Sequence, residues 1–215
     1  MIASGAKWTW YLRVALIWAA LACAVVVPLA AAASSPLLAW RHPIYIGAGF
    51  AGVVALALLL IQPVLIGGLL PGLSAMRARR LHHWTGGLLL VAVIVHVGGL
   101  WITSPPDVVD ALLFASPTPF SNWGVIAMWA VFATAMLAAL RRRLRLSPRA
   151  WRLNHTFLAV VIVVGSVVHG LLIEGTMEVM SKAALSALAL LATLKVAGDV
   201  WVSAKRSTSR GNTRV

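Results

Sequence analysis

Six long apolar stretches limit what this chain can fold into. A helix that crosses a lipid bilayer needs about 20 consecutive, mostly apolar residues. Six stretches meet this requirement: Trp8–Ala33, Ile44–Leu70, Leu81–Thr103, Trp123–Leu140, Trp151–Ile173 and Ala183–Val202. They predict an all-α, polytopic membrane protein whose six-helix bundle covers residues 1–203. The polar segment 204–215 is predicted to be a disordered cytoplasmic tail.

The overall composition agrees with a chain that is surrounded by lipid. Hydrophobic residues make up 61% of the 215 residues and charged residues only 11%, whereas soluble domains carry about 25% charged residues. The net charge of +13 would suggest nucleic acid binding in a soluble protein. Aromatic and basic residues do not alternate as they do in single-strand binding proteins. Membrane lipid is therefore the expected partner, and nucleic acid is not.

The loops differ in charge, and this difference predicts the orientation. Basic residues gather after the second and fourth stretches and in the tail, with six arginines in Arg141–Arg152, while Asp107, Asp110, Glu174 and Glu178 lie in the opposite loops. Lys and Arg mark the cytoplasmic side of a membrane. We therefore expect a bacterial inner-membrane protein with both termini in the cytoplasm, in which the third and fifth helices run outward.

The first stretch allows a second interpretation. Lys7 and Arg13, followed by an apolar run that ends in PLAAAASS, are also typical of a signal peptide. The run is longer than the usual signal-peptide core and contains Trp18, which favours a retained membrane span.

Four of the six histidines form two pairs with the same spacing. His82 and His96 lie 14 residues apart in the third stretch, and His155 and His169 lie 14 apart in the fifth. In an α-helix 14 residues turn through about 1,400°, roughly 40° short of four turns, and rise about 21 Å. Each pair therefore shares one helix face. Because both helices run outward, His82 is expected level with His155 on the inner side, and His96 with His169 on the outer side.

One imidazole from each of two helices, at each of two levels, suits two bis-histidine haems between the third and fifth helices. Structural zinc would need four clustered ligands, and soft metals would favour thiolates. Cys23 is the only cysteine, so attachment through C-x-x-C-H is excluded and the haems would be non-covalent b-type haems. Histidines that merely form hydrogen bonds are the alternative, although an ionisable group inside a membrane usually has a function.

Neighbouring residues add further candidates on the inner side. His83 competes with His82 as a ligand, but 13 residues separate it from His96, about 140° away from a shared face. His83 would then face the headgroups or a haem propionate. Arg80 and Arg152 could pair with the inner propionates, although the positive-inside rule also accounts for them. On the outer side the candidates are Arg41, His42 and Lys182.

Three segments are similar to a known family. LHHWTGGLLLVAVIVH (Leu81–His96) is similar to L-H-R-x-x-G followed by a distal histidine, and PFSNWGVIA (Pro119–Ala127) resembles the entry to that family's fourth span. WRLNHTFLAVVIVVGSVVH (Trp151–His169) is similar to a W-x-x-L-H-x-x-x-Y span with a second histidine. Over Leu73–Ile173 the chain thus resembles the ferric reductase-like transmembrane domain of ferric reductases and NADPH oxidases.

The resemblance implies two haems that pass electrons across the membrane. His82 and His155 would hold the inner haem, and His96 and His169 the outer one. The family often has arginine at the position of His83, which leaves the inner ligand less certain. Asn154 replaces a leucine, and Phe157 or Leu158 stands near the usual tyrosine; neither change affects ligation.

No G-x-G-x-x-G motif and no soluble domain are found up to Val215. A separate flavin reductase or a quinol is therefore expected to donate electrons to the chain, which would pass them to a periplasmic acceptor. The chain is also similar to the haem-binding membrane subunit of the periplasmic methionine-sulfoxide reductase system, which typically has arginine at the position of His82. A non-redox haem-binding protein and a transporter remain as further alternatives. A transporter would need acidic partners within the spans, where only Asp199 is present.

Overall fold

The computed structural model describes the backbone of residues 2–212 and the side chains of residues 7–204. Over that range the secondary structure consists of helices, without strands. The α-helices are α1 (Ile2–Ala33), α2 (Pro43–Ile66), α3 (Ala75–Thr103), α4 (Pro105–Leu112), α5 (Pro119–Leu140), α6 (Pro148–Leu172) and α7 (Val179–Asn212), with a short 3-10 turn at Pro36–Leu38.

Six of these helices are long and apolar enough to cross a membrane, and α4 is the exception among the described helices. Each coincides with one of the six predicted stretches, with ends that differ by a few residues. The predicted all-α, six-span architecture is confirmed, and the chain is a multi-pass membrane protein.

Capping residues and prolines set where α3 and α6, the helices that carry the paired histidines, begin. The side chain of Ser74 accepts a hydrogen bond from the backbone N–H of Arg77 (3.4 Å), and Ser147 does the same for Ala150 (3.2 Å). Such caps satisfy backbone donors that have no partner within the helix. Pro148 occupies the first turn of α6, where its missing N–H costs nothing. These local signals fix the N-terminal ends of α3 and α6, each within one or two turns of the first histidine of its pair.

Two features differ from the expectations. Helix α4 lies between α3 and α5 with Asp107 in its first turn; its eight residues are too few to form a span, so the search for apolar stretches missed it. Helix α7 continues to Asn212, ten residues beyond the end of the predicted stretch at Val202, and the disorder of the tail stays a prediction. Residues 213–215 lie outside the described part of the chain, and the division at residue 204 stays a prediction.

The helices pack as two pairs that are joined by α7. Helix α3 packs along α2, α6 packs along α5, and α7 lies against both α2 and α6. Helices α3 and α6 make little direct backbone contact with each other. One hydrophobic core connects these helices, and α1 lies at its edge with most of its side chains exposed. Large apolar side chains also cover the outside of the bundle, as lipid contact requires.

Helices α2 and α3 approach most closely beside Gly99. A Cβ atom at this position would lie 2.8 Å from the Cβ of Ala48 and 3.4 Å from the carbonyl oxygen of Ile44. Small residues at a helix contact allow such approach within a membrane. Gly98, the preceding residue, has no heavy atom within 4 Å of the equivalent position.

We expect Gly99→Val to lower the thermal unfolding midpoint, because overpacking of this kind typically costs about 1–3 kcal/mol. The matched control is Gly98→Val, which makes the same change in helix propensity one residue away. The measurement is thermal unfolding of the detergent-purified protein. Equal losses for the two variants would contradict the close contact.

Candidate functional site

Four histidine side chains meet in two pairs inside the bundle. The ring centroids of His82 and His155 lie 6.0 Å apart, and those of His96 and His169 lie 6.4 Å apart. In each pair one ring comes from α3 and the other from α6. The pairs stand about 21 Å apart along these helices. The structure thus brings together the partners that the 14-residue spacing predicted.

The spacing of the rings suits a metal held between two imidazoles. With metal–nitrogen distances of about 2 Å on each side, two ring centroids lie about 6 Å apart. Both pairs have this separation. Among the described residues, no group of three or more His, Cys, Asp or Glu side chains could hold a metal ion. A haem needs only two protein ligands because the porphyrin supplies the others, so the residues present fit haem better than a bare ion.

The outer pair is held by backbone carbonyls; outer here means the end of the bundle away from the arginine-rich α5–α6 loop. His96 Nδ1 lies 2.7 Å from the carbonyl oxygen of Ala48, and His169 Nδ1 lies 2.8 Å from that of Phe120. Since a carbonyl oxygen only accepts, each Nδ1 carries the proton and donates it. Each Nε2 is left unprotonated and available as a ligand, as in many metal-binding histidines.

Two glycines allow α2 and α5 to reach these rings. A Cβ atom at Gly52 would lie 3.0 Å from His96 Nδ1, and one at Gly124 would lie 2.6 Å from His169 Nδ1. In both helices the glycine follows the accepting carbonyl by four residues, that is, by about one turn. Sequence reasoning missed both glycines because it considered only those close to the histidines along the chain.

The inner pair has a different environment. The Nδ1 atoms of His82 and His155 are buried and have no partner that matches the carbonyl oxygens of the outer pair. The ring of His155 stacks on Trp151, with centroids 5.0 Å apart and planes 18° apart. The guanidinium of Arg141 lies 4.9 Å above the Trp151 ring. A continuous stack therefore connects the α5–α6 loop to the inner pair.

The remaining predicted site residues lie at the inner end. The ring of His83 is exposed and lies 6.1 Å from that of His82, while His82 itself contacts His155. This placement favours His82 over His83 as the member of the pair. Arg80 and Arg152 are both exposed at this end of the bundle.

A polar contact near the inner pair was also missed from the sequence. Gln62 of α2 donates from Nε2 to the Thr85 hydroxyl (2.8 Å), and that hydroxyl donates to the carbonyl oxygen of Leu81 (2.8 Å). The available signal was a single glutamine within an apolar stretch. The contact ties α2 to the turn of α3 that carries His82.

The comparisons with known proteins agree with this arrangement. The family described as ferric reductase like transmembrane component matches residues 47–166, more than half of the chain. The match includes His82, His83, His96 and His155 and ends shortly before His169. It begins within α2, earlier than the motifs had indicated. No curated protein and no solved structure matches the chain. The chain belongs to the ferric reductase-like transmembrane family.

Proposed function

We propose that this protein carries electrons across the membrane through two non-covalent b-type haems. His82 and His155 would be the axial ligands of the inner haem, and His96 and His169 those of the outer haem. Domains of this family generally bind haem, which agrees with the proposal. The observation that carries it is the pair of imidazole contacts, at 6.0 Å and 6.4 Å, between α3 and α6.

The haem, when bound, supplies the one-electron chemistry, and the protein sets its position and potential. At the outer level, the carbonyls of Ala48 and Phe120 fix the ring orientation and make each imidazole a stronger electron donor. At the inner level, Trp151 supports the face of His155. His83, Arg80 and Arg152 lie where they could interact with the inner propionates.

The charge distribution supports an orientation in the bacterial inner membrane with both termini in the cytoplasm. The arginine-rich α5–α6 loop would then face the cytoplasm. A separate donor, a flavin reductase or a quinol, would supply electrons at His82 and His155. A periplasmic acceptor would take them near His96 and His169. A periplasmic methionine-sulfoxide reductase is one such acceptor. The membrane subunit of that system typically has arginine at the position of His82, however, and a histidine beside His155 favours two complete haem sites instead.

A transporter that uses intramembrane histidines is less consistent with the geometry. Its acidic partner would have to be Asp199, yet this carboxylate pairs with Lys195 at 2.8 Å and is 66% exposed. The histidines also pair with one another rather than with acids.

The first test of the proposal is haem content. The wild-type protein should bind two haems per chain, all extractable by acid–acetone because no thioether bond can form. His96→Ala or His169→Ala should remove the outer haem only, and His82→Ala or His155→Ala the inner one only. The pyridine haemochrome assay and the reduced-minus-oxidised spectrum measure both results.

His83→Ala is the matched control for His82→Ala and should retain both haems. A wild-type ratio near one haem per chain would contradict the inner site. If His83→Ala loses a haem while His82→Ala keeps both, then His83 and not His82 is the ligand.

A second test uses the glycine beside the outer ligand. Gly124→Ala places a methyl group where the His169 ring lies, 2.6 Å from Nδ1. We expect it to displace the ring and to reduce outer-haem occupancy several-fold while the inner haem is kept. Gly49→Ala is the control, because a Cβ at that position meets no atom within 4 Å. Full outer-haem content in Gly124→Ala would contradict this geometry.

A third test concerns the donor. Arg141, Arg142 and Arg145 line a groove at the inner end, and Arg141 connects through Trp151 to His155. We expect this loop to dock an acidic flavin reductase. In inside-out vesicles, NAD(P)H should reduce the haems rapidly only after such a reductase is added. The rate should fall with salt, because exposed charges are screened beyond about 8 Å at physiological ionic strength.

The variant Arg142→Gln/Arg143→Gln/Arg145→Gln should slow this reduction about tenfold while leaving the stacked Arg141 in place. Arg77→Gln/Arg79→Gln, which removes charge from the other basic inner-end segment, is the control. Rapid reduction by NAD(P)H alone would refute the separate donor. Equal rates at low and high salt, or in the two variants, would refute docking at this loop.

A further inference from the structure

A lysine is buried at the outer end of α7. Lys182 is only 7% exposed, and its Nζ donates to the carbonyl oxygen of Ile173, 2.7 Å away. An ammonium group has three N–H donors, so this bond leaves two of them for another partner. A buried charge without such a partner is costly. None of the described carboxylates forms an ion pair with it.

The nearest acid along the chain is already engaged. The carboxylate of Glu178 accepts hydrogen bonds from the backbone N–H groups of Met180 and Ser181, both at 2.7 Å. These bonds hold the pKa of Glu178 below its usual value. Glu178 therefore caps α7 and does not neutralise Lys182.

A second unsatisfied donor lies one turn further along the same face. Ser186 is 1% exposed, and its buried Oγ has no hydrogen-bond partner. Residues four apart in a helix share a face, so Lys182 and Ser186 point the same way. Helices α6 and α7 follow one another across the membrane and are antiparallel. Because Lys182 meets Ile173, Ser186 comes about level with His169, which precedes Ile173 by one turn.

We propose that Lys182 and Ser186 together bind a propionate carboxylate of the outer haem. The inference rests on the proposed haem-binding function. A carboxylate offers two oxygens and about four acceptor positions, which suits the free N–H groups of Lys182 and the hydroxyl of Ser186. The charge of Lys182 would be neutralised, and both donors would be satisfied inside the membrane.

The other basic residues at this end are engaged elsewhere. Arg41 is exposed and lies 5.0 Å above the ring of Tyr45. His42 is exposed, and its Nδ1 accepts a hydrogen bond from the backbone N–H of Ile44 (3.3 Å) as the cap of α2. Among these three outer candidates, Lys182 is the one that is buried. It lies beside the C-terminal end of α6, one turn beyond His169.

The first arm of the test is a redox titration of the purified two-haem protein, followed by its absorption spectrum. A nearby cation favours the reduced haem, so Lys182→Gln should lower the midpoint potential of the outer haem. We expect at least a tenfold change in its ratio of reduced to oxidised form, which is 59 mV for one electron. Lys182→Arg should retain most of the wild-type potential, and Ser186→Ala should give a smaller shift in the same direction.

The controls are Lys195→Gln and Ser203→Ala, which remove an exposed lysine and an exposed serine from the same helix. Both should leave the outer potential unchanged, and none of the five variants should change the inner potential. An outer potential that is unaffected in Lys182→Gln, or that falls as far in Lys195→Gln, would overturn the inference.

The second arm removes the carboxylates instead of the lysine. The apoprotein is reconstituted with haem or with haem dimethyl ester, whose propionates carry no charge. The readout of this arm is the occupancy of the outer site. If Lys182 binds a propionate, Lys182→Gln should lower this occupancy several-fold with haem, and the difference between wild type and variant should vanish with the ester. A difference that persists would show that Lys182 acts on the haem without its carboxylate and would overturn the inference. A wild-type chain without an outer haem would refute the proposed function itself.

Discussion

Lipid cannot form hydrogen bonds with a polar side chain, and this constraint organises the interior of the bundle. Every polar group within the hydrocarbon region must find its partner in the protein or in something the protein binds. His96 and His169 find carbonyl oxygens on α2 and α5, and Thr85 finds one on α3. The buried groups that find none include His82 and His155 at the inner level and Ser186 near the outer one. The side chains of Asn122 and Thr193 are also buried without a partner. Of these groups, Ser186 is the one for which a partner, a propionate of the outer haem, is proposed here.

Each helix contributes a different part of the candidate site. Helices α3 and α6 carry the imidazoles, while α2 and α5 stand behind them and hold the outer rings from outside. Helix α7 packs against both pairs and introduces a buried cation at the outer end. Helix α1 contributes little to the core and faces mainly lipid. The surroundings of the two levels consequently differ. Backbone carbonyls orient the outer histidines, whereas an aromatic stack that reaches the α5–α6 loop supports the inner His155.

The parts of this arrangement that depend on helix length and period could be predicted from the sequence. Long apolar stretches gave the six spans, and the 14-residue spacing gave the pairing of His82 with His155 and of His96 with His169. The carbonyls of Ala48 and Phe120 could not be predicted, because any residue has a backbone carbonyl and only packing selects which one is used. Gly52 and Gly124 were missed for the same reason. Lys182 could be named only as one of three outer basic candidates, since its burial depends on how the end of α6 meets α7. Helix α4 is too short to leave a hydropathy signal.

The carbonyl-and-glycine arrangement behind the outer histidines has an implication for the ancestry of the fold. His155 and His169 each follow their counterparts on α3 by 73 residues, and Phe120 and Gly124 follow Ala48 and Gly52 by 72. The hairpin α2–α3 and the hairpin α5–α6 thus present the same parts at offsets that differ by one residue, in the same direction across the membrane. From these equivalent contacts we infer an approximate two-fold relation between the hairpins, about an axis along the membrane normal, although their sequences show no obvious repeat. Two copies of a single hairpin would suffice to position all four imidazoles. A cofactor between two such similar walls could bind in two orientations that differ by half a turn. A contact from outside the two hairpins, such as the buried Lys182 of α7, would favour one of these orientations.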